Sequence, residues 1–105
     1  MRFVVQYTPK RPNLLATMTP SEAEAIGAHF QYLKAHFDAK KLDFAGRRED
    51  AAFGIAVFQA DSAEQAQAFT ANDPAVRAGV FTATYGEFSY ALTTLAEGSP
   101  RSVDP

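Results

Sequence analysis

The 105-residue sequence predicts an α+β domain in which two helices pack on one face of a four-stranded sheet. Three observations lead to this prediction. Several segments alternate apolar and polar residues with the period of two that is typical of strands, and two others begin with a helix cap and continue with helical spacing. In chain order, these elements run βαββαβ. That order is the split-βαβ pattern of ferredoxin-like domains.

The first strand and the start of the first helix are the most clearly marked elements. Residues 2–8 alternate with period two, and the prolines that follow predict a loop over residues 9–19, to which we assign no role. Thr19 is a helix-capping residue, Pro20 suits the first helical position, and Glu22 completes a capping box. We therefore expect the helix to begin at Pro20.

One apolar stripe runs along this first helix. Its members are spaced i, i+4, i+7 and i+11: Ile26, Phe30, Leu33 and Phe37. This spacing keeps them on one face, so we expect the stripe to face the core. Lys40 and Lys41 are expected to close the last turn, where positive charge complements the helix dipole.

The second half of the chain repeats the alternation of strands and helices. Residues 42–48 and residues 53–60 are predicted to form the second and third strands. Asp61 or Ser62 caps the second helix, and a long fourth strand is expected over residues 80–90. These elements complete the βαββαβ order.

The predicted strands are apolar on both faces, which indicates a dimer. The second face is expected to include three residues of the long fourth strand: Val80, Phe88 and Tyr90. A single copy would leave that face in water as an apolar patch, which monomers rarely carry. We therefore expect two copies to form a dimeric α+β barrel through residues 1–95, followed by a flexible tail over residues 96–105.

Composition argues against several classes of function. The chain has no cysteine, which excludes disulfides, thiolate metal sites and thiol nucleophiles. With 10 basic and 12 acidic residues, the net charge of -2 argues against nucleic acid or an acidic membrane as a partner. Residues 1–10 lack the pattern of a signal peptide and no apolar run is long enough to span a bilayer, so a cytoplasmic location is expected.

His29 and His36 are the two histidines, and both lie on the first helix. Their spacing of seven residues corresponds to about 10.5 Å of helix rise, whereas two imidazoles on one metal need nitrogens within roughly 3–4 Å of each other. A shared metal within one chain is therefore excluded, and no motif for a nucleotide cofactor is present. We expect neither a metal nor an organic cofactor. Both histidines flank the apolar stripe. This position is typical of residues at the edge of a buried helix face, whose polar end stays in contact with water.

Asp73 stands between Asn72 and Pro74, just before a single predicted helical turn. This placement indicates an N-cap followed by proline at the first helical position. A carboxylate offers about four acceptor sites, so one oxygen can cap the helix while the other accepts an imidazole N–H. Capping and pairing with a histidine are therefore compatible.

Two segments of the chain resemble the YCII-related (YciI-like) family. They read AHFQYLKAHFDAKKLDFAGR from Ala28 and ADSAEQAQAFTANDPAVRAGVF from Ala60, and the resemblance extends over roughly residues 3–90. It implies a ferredoxin-like dimer with a His-Asp pair in a cleft, in which His29 takes the place of the family histidine and Asp73 that of the aspartate. His36 matches nothing in the pattern and is expected at the surface.

The chain departs from the family pattern at two positions. Many relatives carry an arginine one turn before the histidine, where this chain has Ile26, and they commonly have a proline where this chain has Arg47. Relative to the family pattern, this chain lacks a cation at position 26 and has an additional one at position 47, which implies a substrate different from that of those relatives.

The resemblance implies a small, cofactor-independent enzyme that acts on a small aromatic or lactone-like molecule. His29 would be the general acid/base and Asp73 its orienting partner, in an isomerase- or lyase-like proton transfer. An imidazole with its ordinary pKa of about 6.5 can take and return a proton at cellular pH.

Four further residues are candidates for substrate binding. Arg47 could meet an anionic or phenolate group, or be a solvated charge at a strand end. Tyr7, Phe44 and Tyr85 could line a cleft, or be ordinary core aromatics at strand spacing. The alternative function is a non-catalytic, small-molecule-binding or accessory dimeric module, in which Asp73 only caps a helix.

Overall fold

Four antiparallel strands form one sheet in the order β2-β3-β1-β4, and this topology confirms the predicted ferredoxin-like α+β fold. The computed structural model describes residues 1–94. The elements are β1 Arg2–Pro9, α1 Pro20–Asp38, β2 Leu42–Arg47, β3 Gly54–Gln59, α2 Ala63–Ala71, α3 Pro74–Arg77 and β4 Phe81–Glu87. The predicted domain end at residue 95 and the predicted flexible tail, residues 96–105, lie outside the described residues. Within residues 1–94, no helix combines the length and the apolar character needed to cross a membrane.

The start of α1 has the predicted capping box. The Thr19 hydroxyl accepts a hydrogen bond from the Glu22 backbone N–H at 3.2 Å, and the Glu22 carboxylate accepts one from the Thr19 N–H at 2.9 Å. Two of the four amide groups that a helix start leaves unpaired are thereby satisfied. This part of the fold is decided locally, within four residues.

The end of α1 differs from the prediction. The helix stops at Asp38, and Lys40 adopts a left-handed backbone conformation with φ of 63°. The N–H groups of Lys40 and Lys41 donate to the carbonyls of Phe37 and His36, each at 2.9 Å, which is the Schellman arrangement. The two lysines therefore lie beyond the last turn and do not close it.

The face of α1 that packs on the sheet is not the predicted apolar stripe. Leu33 is buried, but Phe30 and Phe37 are 60% and 55% exposed. At 100° per residue, the stripe is rotated by roughly 70° from the packed face, whose centre is occupied by His29 and His36. The histidines do flank the stripe, but the expectation that they lie at the edge of the buried face was wrong: they lie at its centre.

His36 is half-buried, so the expectation of a surface residue was also wrong. Its Nδ1 lies 2.9 Å from the backbone carbonyl oxygen of Tyr32, and its ring meets the ring of Phe69 edge-on at a centroid distance of 4.6 Å. The contact with Phe69 attaches α1 to α2. It gives His36 a structural role in the packing of the two helices.

The helices pack on one face of the sheet, where the main core lies. Phe3 pairs with Phe58 across β1 and β3, and Val5 pairs with Ala56 in the same way. These residues form one cluster with further residues of the sheet and with residues of α1 and α2: Tyr7, Leu42 and Ala60 from the sheet and its connections, Leu33 from α1, and Ala66 and Phe69 from α2. The apolar face of the sheet is thus removed from water by α1 and α2.

The opposite face of the sheet is less apolar than predicted. Strand β4 ends at Glu87, so Phe88 and Tyr90 follow it, and the Phe88 N–H donates a last hydrogen bond to the Arg2 carbonyl at 2.9 Å. Val80 precedes β4 and packs instead with Leu14 and Ala75, which gives the loop before α1 a place in a second small core. The open face, as we name it, is formed by Val4, Gln6, Thr8, Ile55, Val57, Thr82 and Thr84.

A buried ion pair lies at one end of the open face. Arg2 donates to the Asp43 carboxylate through Nε and Nη2, and the side chains are 8% and 3% exposed. Gln59 and the Tyr90 hydroxyl donate to the same carboxylate, each at 3.1 Å. The cluster therefore connects β1, β2, β3 and the segment that follows β4.

We expect the Asp43 carboxylate to make the stability of the fold dependent on pH in acid. Burial opposes the ionisation of Asp43, but the hydrogen bonds, first among them that from Arg2, outweigh it and hold the pKa of this carboxyl below its usual value. Such a group stabilises the fold fully above its unfolded pKa of about 3.9, and the contribution is lost as pH falls through the lower, folded pKa.

The measurement is urea unfolding of the wild type and of Asp43→Asn from about pH 5 downwards. The wild type should lose stability steeply over this range, and the variant less steeply. Asp38→Asn is the control, because Asp38 forms an exposed ion pair with Lys34. Equal slopes for the wild type and Asp43→Asn would contradict the prediction.

Candidate functional site

A cleft of about 680 Å³ opens between α1 and the β2–β3 side of the sheet. This volume is within the range of about 300–1,000 Å³ that is typical of small-molecule sites. Its walls are mainly apolar and include Leu15, Ile26, Phe30, Phe37, Phe53 and Phe81. The exposure of Phe30 and Phe37 is explained by this position, because both side chains lie along the cleft and not in the core.

His29 and Asp73 form a hydrogen-bonded pair beside this cleft. His29 lies on the packed face of α1, Asp73 caps α3, and the distance from Nδ1 of the imidazole to Oδ2 of the carboxylate is 2.7 Å. The His29 side chain is 14% exposed, whereas Asp73 is fully buried. The other carboxylate oxygen of Asp73 accepts the backbone N–H of Ala75 at 3.0 Å. One carboxylate thus caps a helix and holds an imidazole.

This pairing decides which imidazole nitrogen is available to a ligand. An ionised carboxylate only accepts hydrogen bonds, so Nδ1 of His29 donates and carries the proton. Nε2 then keeps its lone pair, and no side chain or backbone group within residues 1–94 forms a hydrogen bond with it. His29 lines the cleft and Asp73 does not. The arrangement presents a base to the cleft, with its orienting partner behind it.

Two aromatic rings hold the imidazole in place. His29 meets Tyr7 edge-on at a centroid distance of 4.8 Å, and Phe81 edge-on at 5.3 Å. The Tyr7 hydroxyl is buried and has no hydrogen-bond partner among the described residues. Burial, together with the nearby Asp73 charge, raises the pKa of Tyr7 well above its usual value, so this hydroxyl stays protonated.

The four candidate binding residues do not all lie at the cleft. Tyr7, Phe44 and Arg47 line it together with His29. Tyr85 does not: it lies on β4, which is the opposite edge of the sheet from β2, and it is 40% exposed.

The charged side chains that line the cleft differ in their partners. Lys34 pairs with Asp38 at 2.9 Å, and Asp43 belongs to the ion pair with Arg2. Arg47 donates to two backbone carbonyls of the turn that follows it and forms no ion pair within the described part of the chain. Among residues 1–94, no group of three or more histidine, aspartate or glutamate side chains is placed to hold a metal ion.

Sequence reasoning missed several lining residues. Leu14 and Leu15 belong to the loop of unassigned role, and Phe53 and Phe81 belong to the predicted third and fourth strands. The pair of leucines after two prolines was a weak signal, because it places apolar side chains in an otherwise polar loop. No local pattern distinguishes a phenylalanine that lines a cleft from one that fills a core.

A model of the YCII-related domain family matches residues 1–85 of this chain. No curated protein sequence matches it.

Among solved structures, similar folds include two enzymes. One is the 5-chloro-2-hydroxyhydroquinone dehydrochlorinase TftG from Burkholderia phenoliruptrix AC1100 in complex with 2,5-dihydroxybenzoquinone, with a TM-score of 0.66 and 22% identity over 86% of this chain and 95% of that chain. The other is muconolactone isomerase, with a TM-score of 0.68 and 17% identity over 100% of both chains. At sequence identities of 22% and 17%, these two matches establish the fold of this chain and nothing further.

Proposed function

The chain belongs to the YCII-related domain family, and from this membership and the geometry of its cleft we propose that it is a small-molecule enzyme in which His29 moves a proton. Asp73 is the orienting partner. The proposed reaction needs no metal or organic cofactor, and it is an isomerisation or an elimination on a small organic molecule.

One observation carries this proposal: the 2.7 Å hydrogen bond between Nδ1 of His29 and Oδ2 of Asp73, at the wall of an apolar cleft. With Nδ1 protonated, Nε2 can take a proton from a carbon of the substrate. The imidazolium that forms is stabilised by the buried carboxylate, which need not reorganise during the reaction.

The electron pair left on the substrate after proton removal can follow one of two courses. In an isomerisation, the C–H bond pair moves into a new double bond, the pair of the adjacent double bond shifts onto a further substrate atom, and His29 returns the same proton to that atom. In an elimination, the pair forms the double bond while a leaving group departs with its own bonding pair, and His29 releases the proton to water. The two solved relatives are, by name, a lactone isomerase and a dehydrochlorinase, which is why we propose these two reaction classes.

A second candidate function is a binding or accessory module without catalysis. The observation in its favour is that the cap on α3 alone gives Asp73 a reason to be buried, since its Oδ1 accepts the Ala75 N–H. In that case His29 would merely satisfy the second carboxylate oxygen.

Proton exchange with solvent distinguishes the two functions. The protein is incubated in D₂O with muconolactone or with 5-chloro-2-hydroxyhydroquinone, and each compound is followed by NMR. The enzyme proposal expects deuterium uptake at one carbon, a shifted double bond or release of chloride, faster than without protein. If neither compound exchanges or reacts above the rate without protein, the module is favoured.

We also propose that two copies pack through the open face. No described helix covers this face, although Val57 is buried within the single chain. Apart from the Arg2–Asp43 pair at one end, the residues of the face are uncharged, with threonine and glutamine beside Val4 and Ile55. Interface centres are depleted of charged residues, whereas a solvated sheet face usually carries them.

The expected cytoplasmic location also stays a prediction.

The dimer proposal predicts the mass in solution. Sedimentation at roughly micromolar concentration should give a mass near twice that of one 11.4 kDa chain. Gln6→Lys puts a charge at the middle of the open face and should yield monomers, because two like charges would be buried together. Gln31→Lys, on the exposed side of α1, is the control and should remain dimeric. A single-chain mass for the wild type would refute the proposal.

A further inference from the structure

Three strands place Arg47 and Tyr7 on the same side of the sheet, with a glycine between them. Arg47 pairs with Gly54 across β2 and β3, and Gly54 pairs with Tyr7 across β3 and β1. Directly paired residues of antiparallel strands share a face, so the three form one row on the helix-facing side. All three line the cleft.

Gly54 leaves the floor of the cleft open between these two side chains. A Cβ at this position would lie 3.1 Å from the Gly46 carbonyl oxygen and 3.6 Å from Cβ of Arg47. Any side chain here would therefore fill the space beside Arg47. Two strand spacings of about 4.8 Å separate the backbones of Tyr7 and Arg47 by roughly 10 Å, which is enough for one six-membered ring with a substituent.

The Arg47 guanidinium has more N–H donors than it uses within the described residues. Its Nη1 donates to the carbonyls of Arg48 and Glu49 at 3.2 and 3.0 Å. A guanidinium has five N–H donors, and those on Nε and Nη2 have no partner among the described residues. The geometry of a guanidinium matches that of a carboxylate, with which it can form two parallel hydrogen bonds.

Arg47 is also the cleft-lining cation without an anionic partner in the described part of the chain, because Lys34 is paired with Asp38. The remaining walls are apolar and rich in phenylalanine. A ligand that fits both features has an unsaturated ring, which contacts the phenylalanines, and an anionic oxygen, which is held by the guanidinium.

We propose that Arg47 is the anion-binding residue of the cleft and that the ligand is a small unsaturated ring acid, a carboxylate or a phenolate. Its ring lies over Gly54, its anionic oxygen pairs with Arg47, and its other end reaches toward His29. This inference rests on the proposed function for the identity of the reacting end, whereas the binding of the anion can be measured independently of turnover.

The test compares benzoate with benzamide, which has the same shape and no charge. Binding to the ¹⁵N-labelled protein is followed by NMR for the wild type, Arg47→Gln and Arg48→Gln. Arg48 is the matched control, since it neighbours Arg47, pairs with Asp50 at 2.6 Å and does not line the cleft. In the wild type and in Arg48→Gln, benzoate should bind about tenfold or more tightly than benzamide, and Arg47→Gln should abolish this preference.

Three outcomes would overturn the inference: equal affinities in the wild type, a preference for benzoate that persists in Arg47→Gln, or no binding of either compound. The proposed function is judged separately, by proton exchange in D₂O. A wild type that exchanges protons but binds benzoate and benzamide equally overturns the role of Arg47 alone. A wild type that clearly prefers benzoate but exchanges no protons overturns the enzyme alone.

Discussion

Replacing His29 by asparagine is expected to lower the rate of proton exchange into the substrate by about 10²- to 10⁴-fold, the usual contribution of a general acid/base. The reason is that an amide cannot take a proton at neutral pH, whereas Nε2 of His29 keeps its lone pair for the cleft. The same D₂O assay measures the rate, and far-ultraviolet circular dichroism verifies that the variant is folded.

His36→Asn is the matched control for this variant. His36 lies on the same face of α1 and is half-buried like His29, but it contacts Tyr32 and Phe69 and does not line the cleft. It should therefore lose some stability and keep its rate within a few-fold of the wild type. A His29→Asn protein that exchanges protons as fast as His36→Asn would exclude His29 as the base.

Replacing Asp73 by alanine is expected to cost about 2–4 kcal/mol of stability, because one change removes a helix cap and leaves two buried partners unpaired. The Ala75 N–H loses its acceptor at the start of α3, and Nδ1 of His29 loses the carboxylate. Urea unfolding of Asp73→Ala against the wild type measures this loss.

Asp73→Asn separates the cap from the orientation of the imidazole. Asparagine caps helices about as well as aspartate, so the stability should fall much less than in the alanine variant. Its amide nitrogen would face Nδ1 of His29 as a donor, which favours the tautomer with the proton on Nε2. In the Ser-His-Asp triad the corresponding change lowers the rate by about 10⁴-fold for this reason, and we expect a loss of 10²-fold or more here.

The two Asp73 variants together decide between the candidate functions. The enzyme predicts an asparagine variant that is nearly as stable as the wild type and almost inactive. A binding module predicts an asparagine variant that is stable and binds ligand as well as the wild type does. If the alanine variant were as stable as the wild type, the cap itself would have no measurable role.

Helix α1 shows how far sequence reasoning reaches and where it stops. Its start was predictable because the capping box consists of hydrogen bonds between residues three apart, and those bonds depend on little beyond the local sequence. Its buried face was not, because Phe30 and Phe37 have the same helical spacing whether they enter a core or line a cleft. Tertiary packing placed His29 against Tyr7 and Phe81 of the sheet, and His36 against Phe69 of α2.

The sequence by itself determined the order of the elements, the caps of α1 and α3, and the presence of a carboxylate directly before Pro74, because these depend on alternation, turn residues and hydrogen bonds between near neighbours. The family resemblance, and not the spacing of residues in the chain, indicated that His29 is the partner of Asp73. Only the tertiary structure brought Nδ1 of His29 within 2.7 Å of a carboxylate 44 residues away.

The same is true of the row from Tyr7 through Gly54 to Arg47, which exists because of the register of three strands. Register and helix orientation arise from long-range packing against a shared core, and a shift of one residue in a strand would turn each side chain to the other face. The sequence therefore determines which chemical groups the cleft contains, and the fold determines the distances between them.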